Sequence, residues 1–363
     1  MIKSEPDRKR SKDLGIDLKT IKLFEKIAKA VAPPPIMTVS QWADAERRLS
    51  AESSAEAGRW NTDRAPYQRE ILDAVNNPEC EEVVIMSSAQ VGKTELILNT
   101  IGYYIDYDPA PILVVNPTIE MAQTFSKDRL APMIRDTPAL RGKVRDAKSK
   151  NSGNTILHKQ FPGGHITMAG ANSPASLASR PIRIALMDEI DRYPASAGTE
   201  GNPIKLAEKR TTTFWNRKKI KVSTPTIKGQ SQIEAEFLTG SQEEWCVPCP
   251  CCGKYQPYEW GRIHFSDVTM ECKFCGEHIS EVDWKQQKGK YIAKFPDRKR
   301  KRSFHLNELA SPWKHWEEII REFREAQKEL KENGDINKMK TWINTTLGET
   351  WEERGKSADD DSI

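Results

Sequence analysis

The sequence predicts an α/β fold: a mostly parallel sheet with helices on both faces, an inserted cysteine-rich module and a helical C-terminal segment. Three observations carry this. From about residue 58, short apolar runs alternate with helix-length stretches, a rhythm that implies crossover units and a parallel sheet. A Gly-Lys-Thr tripeptide stands between one such run and the helix that follows it. Six of the seven cysteines crowd into residues 246–275.

Taken in order, residues 1–35 are charged and close on "APPPI", which reads as an arm ended by a proline stop. "TVSQWADAERRLS" follows as a short helix with Ser40 as candidate N-cap, completing an N-terminal region over 1–57. The core, 58–242, holds strands at 81–87, 110–118, 165–171, 182–189 and 218–226, with helices at 93–106 and 119–136. "EEWCVPCPCCGKY…ECKFCGEHI" breaks the rhythm as a compact insertion over 243–283. The remainder, 284–363, opens on a basic segment. It continues with a heptad-like helix at 311–334 and a second at 336–348, and "GKSADDDSI" reads as a frayed or cut terminus. No internal repeat is found.

With 363 residues, the chain is long enough for two or three domains. Its 37% hydrophobic residues supply a core, while 30% charge and a mean hydropathy of -0.67 describe a polar surface. No apolar run approaches the ~20 residues of a membrane span, and the first residues lack a signal peptide's apolar stretch. A soluble, intracellular protein is therefore expected. Ten Trp, ten Phe and eight Tyr argue against disorder as the main state. The net charge of +4 is mild, but basic runs at 8–12, 141–150, 215–221 and 297–302 make an anionic polymer a reasonable partner.

The segment "SSAQVGKTE" (87–95) follows an apolar strand and opens a helix. A triphosphate needs converging backbone N–H groups, a helix N-terminus, a lysine on its terminal oxygens and a hydroxyl on Mg²⁺. Ser87, Ser88, Ala89, Gln90, Val91 and Gly92 form such a loop, with Lys93 and Thr94 as the phosphate and magnesium residues; Ser87 replaces the usual first glycine. About a hundred residues later, "IRIALMDE" ends a buried strand in two carboxylates. Asp188 there is expected to hold Mg²⁺, and Glu189 to orient the attacking water. Together they predict an ATP site on a P-loop NTPase sheet of RecA-like type. Gln68 and Tyr67 in "APYQRE" either read and stack on adenine or are ordinary helix-start residues. Thr224 in "STPT" either senses the γ-phosphate or forms a simple turn.

Cys249-x2-Cys252 and Cys272-x2-Cys275, 19 residues apart, match the spacing of a four-thiolate zinc site. Four thiolates leave no open position, so the zinc is structural. Cys246-x2-Cys249 offers another register, and His264 or His278 another ligand.

The altered Walker A "SAQVGKTE", "LMDEIDRYP", "STPT", the paired knuckles, "FHLNELASPW" and "NTTLGETWEE", in this order, resemble the large terminase subunit of tailed phages, in its lambda GpA-like branch. The resemblance runs from about Gly58 to Glu353. It implies an ATP-driven motor that moves double-stranded DNA into a prohead in the host cytoplasm. The partners it implies are a small terminase subunit and a portal, with the chain monomeric alone and assembled as a ring. It makes Arg180, in "SLASRPIR", a candidate arginine finger acting on a neighbouring subunit. Two departures stand out: the Walker A loop has no arginine, and the family's nuclease is expected to begin after this chain stops. Outside the family, a helicase-type or remodelling ATPase with a zinc ribbon, or a zinc-stabilised DNA- or portal-binding module, fits fewer of these motifs.

Overall fold

The computed structural model describes residues 37–52, 54–144, 154–178 and 180–353, together with Asp17, Lys19, Thr20, Leu23 and Phe24. Residues 38–363 form one compact unit and 1–37 another.

A ten-stranded sheet organises the larger unit. Its strands are β1 Glu82–Ser87, β2 Ile112–Asn116, β3 His158–Phe161, β4 Gly164–Gly170, β5 Ile184–Asp188, β6 Lys218–Ser223, β7 Glu243–Pro248, β8 Tyr255–Pro257, β9 Lys290–Ala293 and β10 Lys301–Leu306. They lie in the order β8-β7-β10-β1-β6-β5-β2-β4-β3, with β9 also on β7. From β7 to β4 every neighbouring pair is parallel, and only β3, β8 and β9 run antiparallel. One strand, β6, separates the strand before Gly-Lys-Thr from the strand that ends in Asp188.

Strands buried on both faces need apolar residues at every position, and β2 and the first four residues of β5 are wholly buried. The two-residue period sorts these side chains into two cores. Val83, Ile85, Ile112, Val114, Ile184, Leu186, Ile220 and Val222 join the first, with helices α1 Val39–Glu46, α2 Gln68–Asn76 and α3 Lys93–Asp106. Val84, Leu113, Val115, Ala185 and Met187 join the second, with α4 Pro203–Lys209 and α5 Gln232–Leu238. The alternation assigns Asp188, Asn116 and Thr224, which follow those runs, to the face of α3 and its Lys93.

Several expectations are corrected. Thr38, not Ser40, caps α1, because Thr38 and Gln41 satisfy each other's backbone N–H groups in a capping box. The helix expected at 119–136 is helical throughout, but with a π-helical segment at Phe125–Leu130. Residues 243–248 enter the main sheet as β7, so the inserted module begins only after them. The basic segment hides a central strand: β10 pairs with β1 along its whole length. Lys301 and Arg302 obscured the strand pattern, since they meet Glu236 and Glu243 within the protein. α6 Trp316–Asn333, closed by left-handed Gly334, and α7 Asn337–Trp342 complete the C-terminal region.

Candidate active site

The loop after β1 meets α3 at Gly92, whose φ of +86° a side chain would strain, and a Cβ there would collide with the Gln68 amide at 2.2 Å. Gln90 also has positive φ (+56°), whereas Ser87 does not, which explains why serine serves where the motif usually has glycine. Lys93 is buried, and its ammonium donates to the Ser88 carbonyl (2.8 Å) and to Thr224 Oγ1 (2.7 Å). Burial pulls its pKa down, opposed by the carboxylates of Glu189 and Asp188. Asp188 is pushed up to about 7, by burial first and by the Glu189 charge second. Glu189 sits at φ +54°, an uncommon conformation for a non-glycine residue, and faces Arg192 at 3.8 Å.

A cavity of about 590 Å³ at this sheet edge is lined by Thr94, Asn116, Asp128, Arg129 and Asp188. Lys93, Thr94, Asp188, Glu189 and Thr224 are thus brought together. Three further residues belong to the constellation. Asn116 is one residue past the Val115–Met187 pair, beside Asp188, and its buried Oδ1 has no partner. Arg129 lines the same cavity; it lies in the π-helical segment, which no spacing in the sequence announced. Asp191 accepts from Thr226 Oγ1 (2.9 Å) and the Ile233 amide (2.7 Å), while its own amide donates to Ser223 Oγ (3.2 Å). It thereby ties the acidic loop to "STPT".

Two expected residues are placed differently. Gln68 is 1% exposed, and its Nε2 donates to the Val91 carbonyl at 3.1 Å, behind the loop. Tyr67 is also 1% exposed, edge-on to Trp245, with no ring face open to a base. Arg180 is exposed and meets His158 Nε2 at 3.3 Å on edge strand β3. Five strand spacings, roughly 24 Å, separate β3 from β1, so as placed it does not serve its own loop.

The C-terminal region holds the other flank of the loop. The Ser88 amide donates to the Leu306 carbonyl (2.9 Å) and the Ala89 amide to Thr345 (2.7 Å). The Trp351 amide donates to the Thr226 carbonyl at 2.8 Å.

In the inserted module the four sulfurs of Cys249, Cys252, Cys272 and Cys275 lie within 4.8 Å of one another. Sγ–Sγ separations of 3.8 Å for Cys249–Cys275 and Cys252–Cys272 match the ~3.8 Å edge of a tetrahedron with Zn–S near 2.3 Å. The Cys252 amide points at Cys249 Sγ (3.5 Å) and the Phe274 amide at Cys272 Sγ (3.4 Å), as a thiolate cluster requires. The donor set fits zinc. Cys246 is instead buried in β7, where desolvation pushes its thiol up to about 12, and His264 packs on His278 (4.0 Å) outside the cluster.

The model for "Phage terminase large subunit gpA, ATPase domain" matches residues 54–291. This chain belongs to that family. A second model, "Terminase large subunit gpA, endonuclease domain", matches residues 301–363. The terminase large subunit of Enterobacteria phage P21 is 31% identical over 356 residues, covering 89% of this chain and 54% of the relative. That of Escherichia phage lambda is 29% identical over 354 residues, covering 88% and 53%. The chain therefore spans about half the length of these curated relatives. The large terminase ATPase domain of Thermus phage P74-26 aligns with a TM-score of 0.44 at 14% identity, over 83% of this chain and 99% of that one. The large terminase of another thermophilic bacteriophage, solved with ADP, gives 0.34 at 17% over 44% and 38%. The endonuclease match bears on the expectation that the terminase nuclease lies wholly outside this chain. Its first residues, 301–306, are β10 of the ATPase sheet, and residues 307–353 continue into the helices that hold the Walker A loop. The acidic tail lies outside the described residues.

The basic runs change meaning too. Arg217 pairs with Glu81, Lys219 with Glu81 and Glu82, and fully buried Lys221 with Glu82, Glu208 and Glu236. Arg300 meets Glu81, Lys301 meets Glu236, and Arg302 meets Glu243. The runs at 215–221 and 297–302 are largely spent on internal carboxylates. The run at 8–12, and residues 145–150 of the run at 141–150, fall outside the described residues. No helix among the described residues is long and apolar enough to cross a membrane.

Proposed function

We propose that this chain is the ATP-hydrolysing motor portion of a terminase that drives double-stranded DNA into a prohead. The observation that carries the reading is the convergence of Lys93, Thr94, Asp188, Glu189 and Thr224 at one end of a parallel sheet, where such sheets bind ligands. The loop amides and Lys93 bind the phosphates. Thr94 and Asp188 are the residues to hold Mg²⁺, which supplies charge neutralisation when bound. Glu189 orients the attacking water, Arg129 stabilises charge on the transferring group, and Asn116 takes a hydrogen bond from water or metal shell. Loss of the γ-phosphate frees Lys93 to pull on Thr224, and Asp191 relays the change to α5. Arg180 acts on a neighbour's nucleotide in a head-to-tail ring, as its distance from its own loop supports. Gln68 acts from behind the loop by fixing Val91, and the four cysteines hold one structural zinc. The portal, the small subunit and the host cytoplasm complete this reading. Cutting is not assigned to this chain, because the described part of the endonuclease-matched segment serves the ATPase sheet. ATP turnover with and without linear double-stranded DNA tests the proposal. Turnover that is absent in both conditions, in a chain that binds ATP, would refute it.

A further inference from the structure

The zinc knuckles present a surface that the motor site does not use. Phe274, 47% exposed, projects from the second knuckle, with the ammonium groups of Lys254 and Lys273 over its ring at 5.1 and 5.4 Å. Tyr255, 37% exposed and next in sequence to Lys254, carries Lys290 over its ring at 4.3 Å. Lys273, from the first ring's group, and Lys290, from the second's, both lie close enough to Cys246 to act on its thiol, which sets the two rings and three lysines around one stretch of β7. Lys273 reaches Glu259 at 3.5 Å, but Lys254 and Lys290 have no carboxylate partner among the described residues. That contrasts with the basic runs at 215–221 and 297–302, whose charges are mostly neutralised from within.

The backbone beneath the patch is fixed. Phe274 and Lys254 stand beside the cysteine turns, whose amides point at sulfur, and Tyr255 and Lys290 flank β7 on strands β8 and β9. A rigid pair of accessible rings edged with unpartnered ammonium groups has a specific chemical complement. The lysines suit phosphates, and the ring faces suit planar bases. Bases in a duplex already stack on one another, so only an unpaired strand offers both at once.

We infer that the zinc-knuckle face of this protein binds single-stranded nucleic acid. Bases stack on Phe274 and Tyr255, and the lysines leave the rings for neighbouring phosphates. The inference rests on this patch alone and is independent of nucleotide hydrolysis.

Fluorescence anisotropy of a labelled twenty-residue oligothymidylate with the full chain tests it. Phe274→Ala and Tyr255→Ala should each weaken binding about tenfold, and Phe274→Leu should do nearly the same, since stacking needs a flat ring. Lys254→Ala with Lys290→Ala should flatten the log–log salt slope by about 1.4, at about 0.7 per phosphate on a single strand. Zinc content and ATP turnover should stay at wild-type levels, which separates lost binding from a lost fold. Unchanged oligothymidylate affinity in the ring variants would overturn the inference. Equal weakening for a duplex of the same length would also overturn it, and would assign the face to paired DNA. Loss of ATP turnover in wild type would refute the motor reading while leaving this one intact.

Discussion

Lys93 and Thr224 are joined by a 2.7 Å hydrogen bond, Nζ donating to Oγ1, between residues 131 positions apart. The phosphate-binding lysine is thereby connected to the strand end that also receives the Asp191 amide through Ser223. Thr224→Ala removes the acceptor but not the charge. It should lower ATP turnover about tenfold while changing ATP affinity little, and Thr224→Ser should restore most of the rate. Equal losses in rate and affinity would place Thr224 in binding rather than in coupling.

Glu189→Gln should bind ATP normally and turn it over at least about 10²-fold more slowly, the scale seen when a group that stabilises the transition state is removed. Lys93→Ala should weaken binding itself. Equilibrium binding of a fluorescent ATP analogue, alongside single-turnover hydrolysis, distinguishes the two.

Metal analysis of protein purified without chelator should find about one zinc per chain. Cys272→Ser should lose the metal and lower the melting temperature. The wild-type chain should show the same loss with a strong chelator. A full-length, stable, zinc-free protein would contradict the assignment.

Glu236 is held at about 2: burial acts to raise it, but Lys221, and then Lys301, more than offset that effect. A folded-state pKa below the unfolded value of about 4.3 contributes stability that is complete above that value. This stability drains away as pH falls towards 2. Urea unfolding should therefore lose on the order of 2 kcal/mol between about pH 5 and pH 2 from this group. Glu236→Gln should be less stable at neutral pH and flatter with acid. Parallel curves for the two proteins would mean that Lys221 is adequately served by Glu82 and Glu208 alone.

Arg180→Ala and Lys93→Ala chains, each inactive, should regain part of the ATPase activity when mixed on DNA, because one contributes the loop and the other the arginine. Mixtures that stay inactive while wild type assembles and hydrolyses would return Arg180 to a local role with His158.

Much of this architecture was legible in the residues. β1, α3 and β5 carry long apolar runs with motif residues at their ends, so their position followed from pattern alone. The knuckles were equally plain, since two Cys-x2-Cys pairs have few other uses. β10 was not legible, because Lys301 and Arg302 read as surface charge until Glu236 and Glu243 are seen facing them. Arg129 and Asn116 were missed for a different reason. Each looks ordinary within its own element, and only the packing of that element against the Asp188 strand gives it a role. Tyr67 and Gln68, which the sequence left open between adenine contact and ordinary helix-start chemistry, stand at the start of α2 and are buried there.

The strand at 301–306 lies between β1 and β7, on the far side of the gap between the two family matches. Cutting the gene in that gap would split a continuous ladder rather than separate two modules. The shortened product would bare the whole edge of β1, a row of unpaired amides and carbonyls that invites another chain to dock. It would also leave the Ser88 and Ala89 amides without their acceptors, so the hinge of the phosphate loop would be set by solvent. Through Trp351 and Thr345, force applied to the described end of the chain has a short mechanical path to the "STPT" turn and to the loop before Lys93.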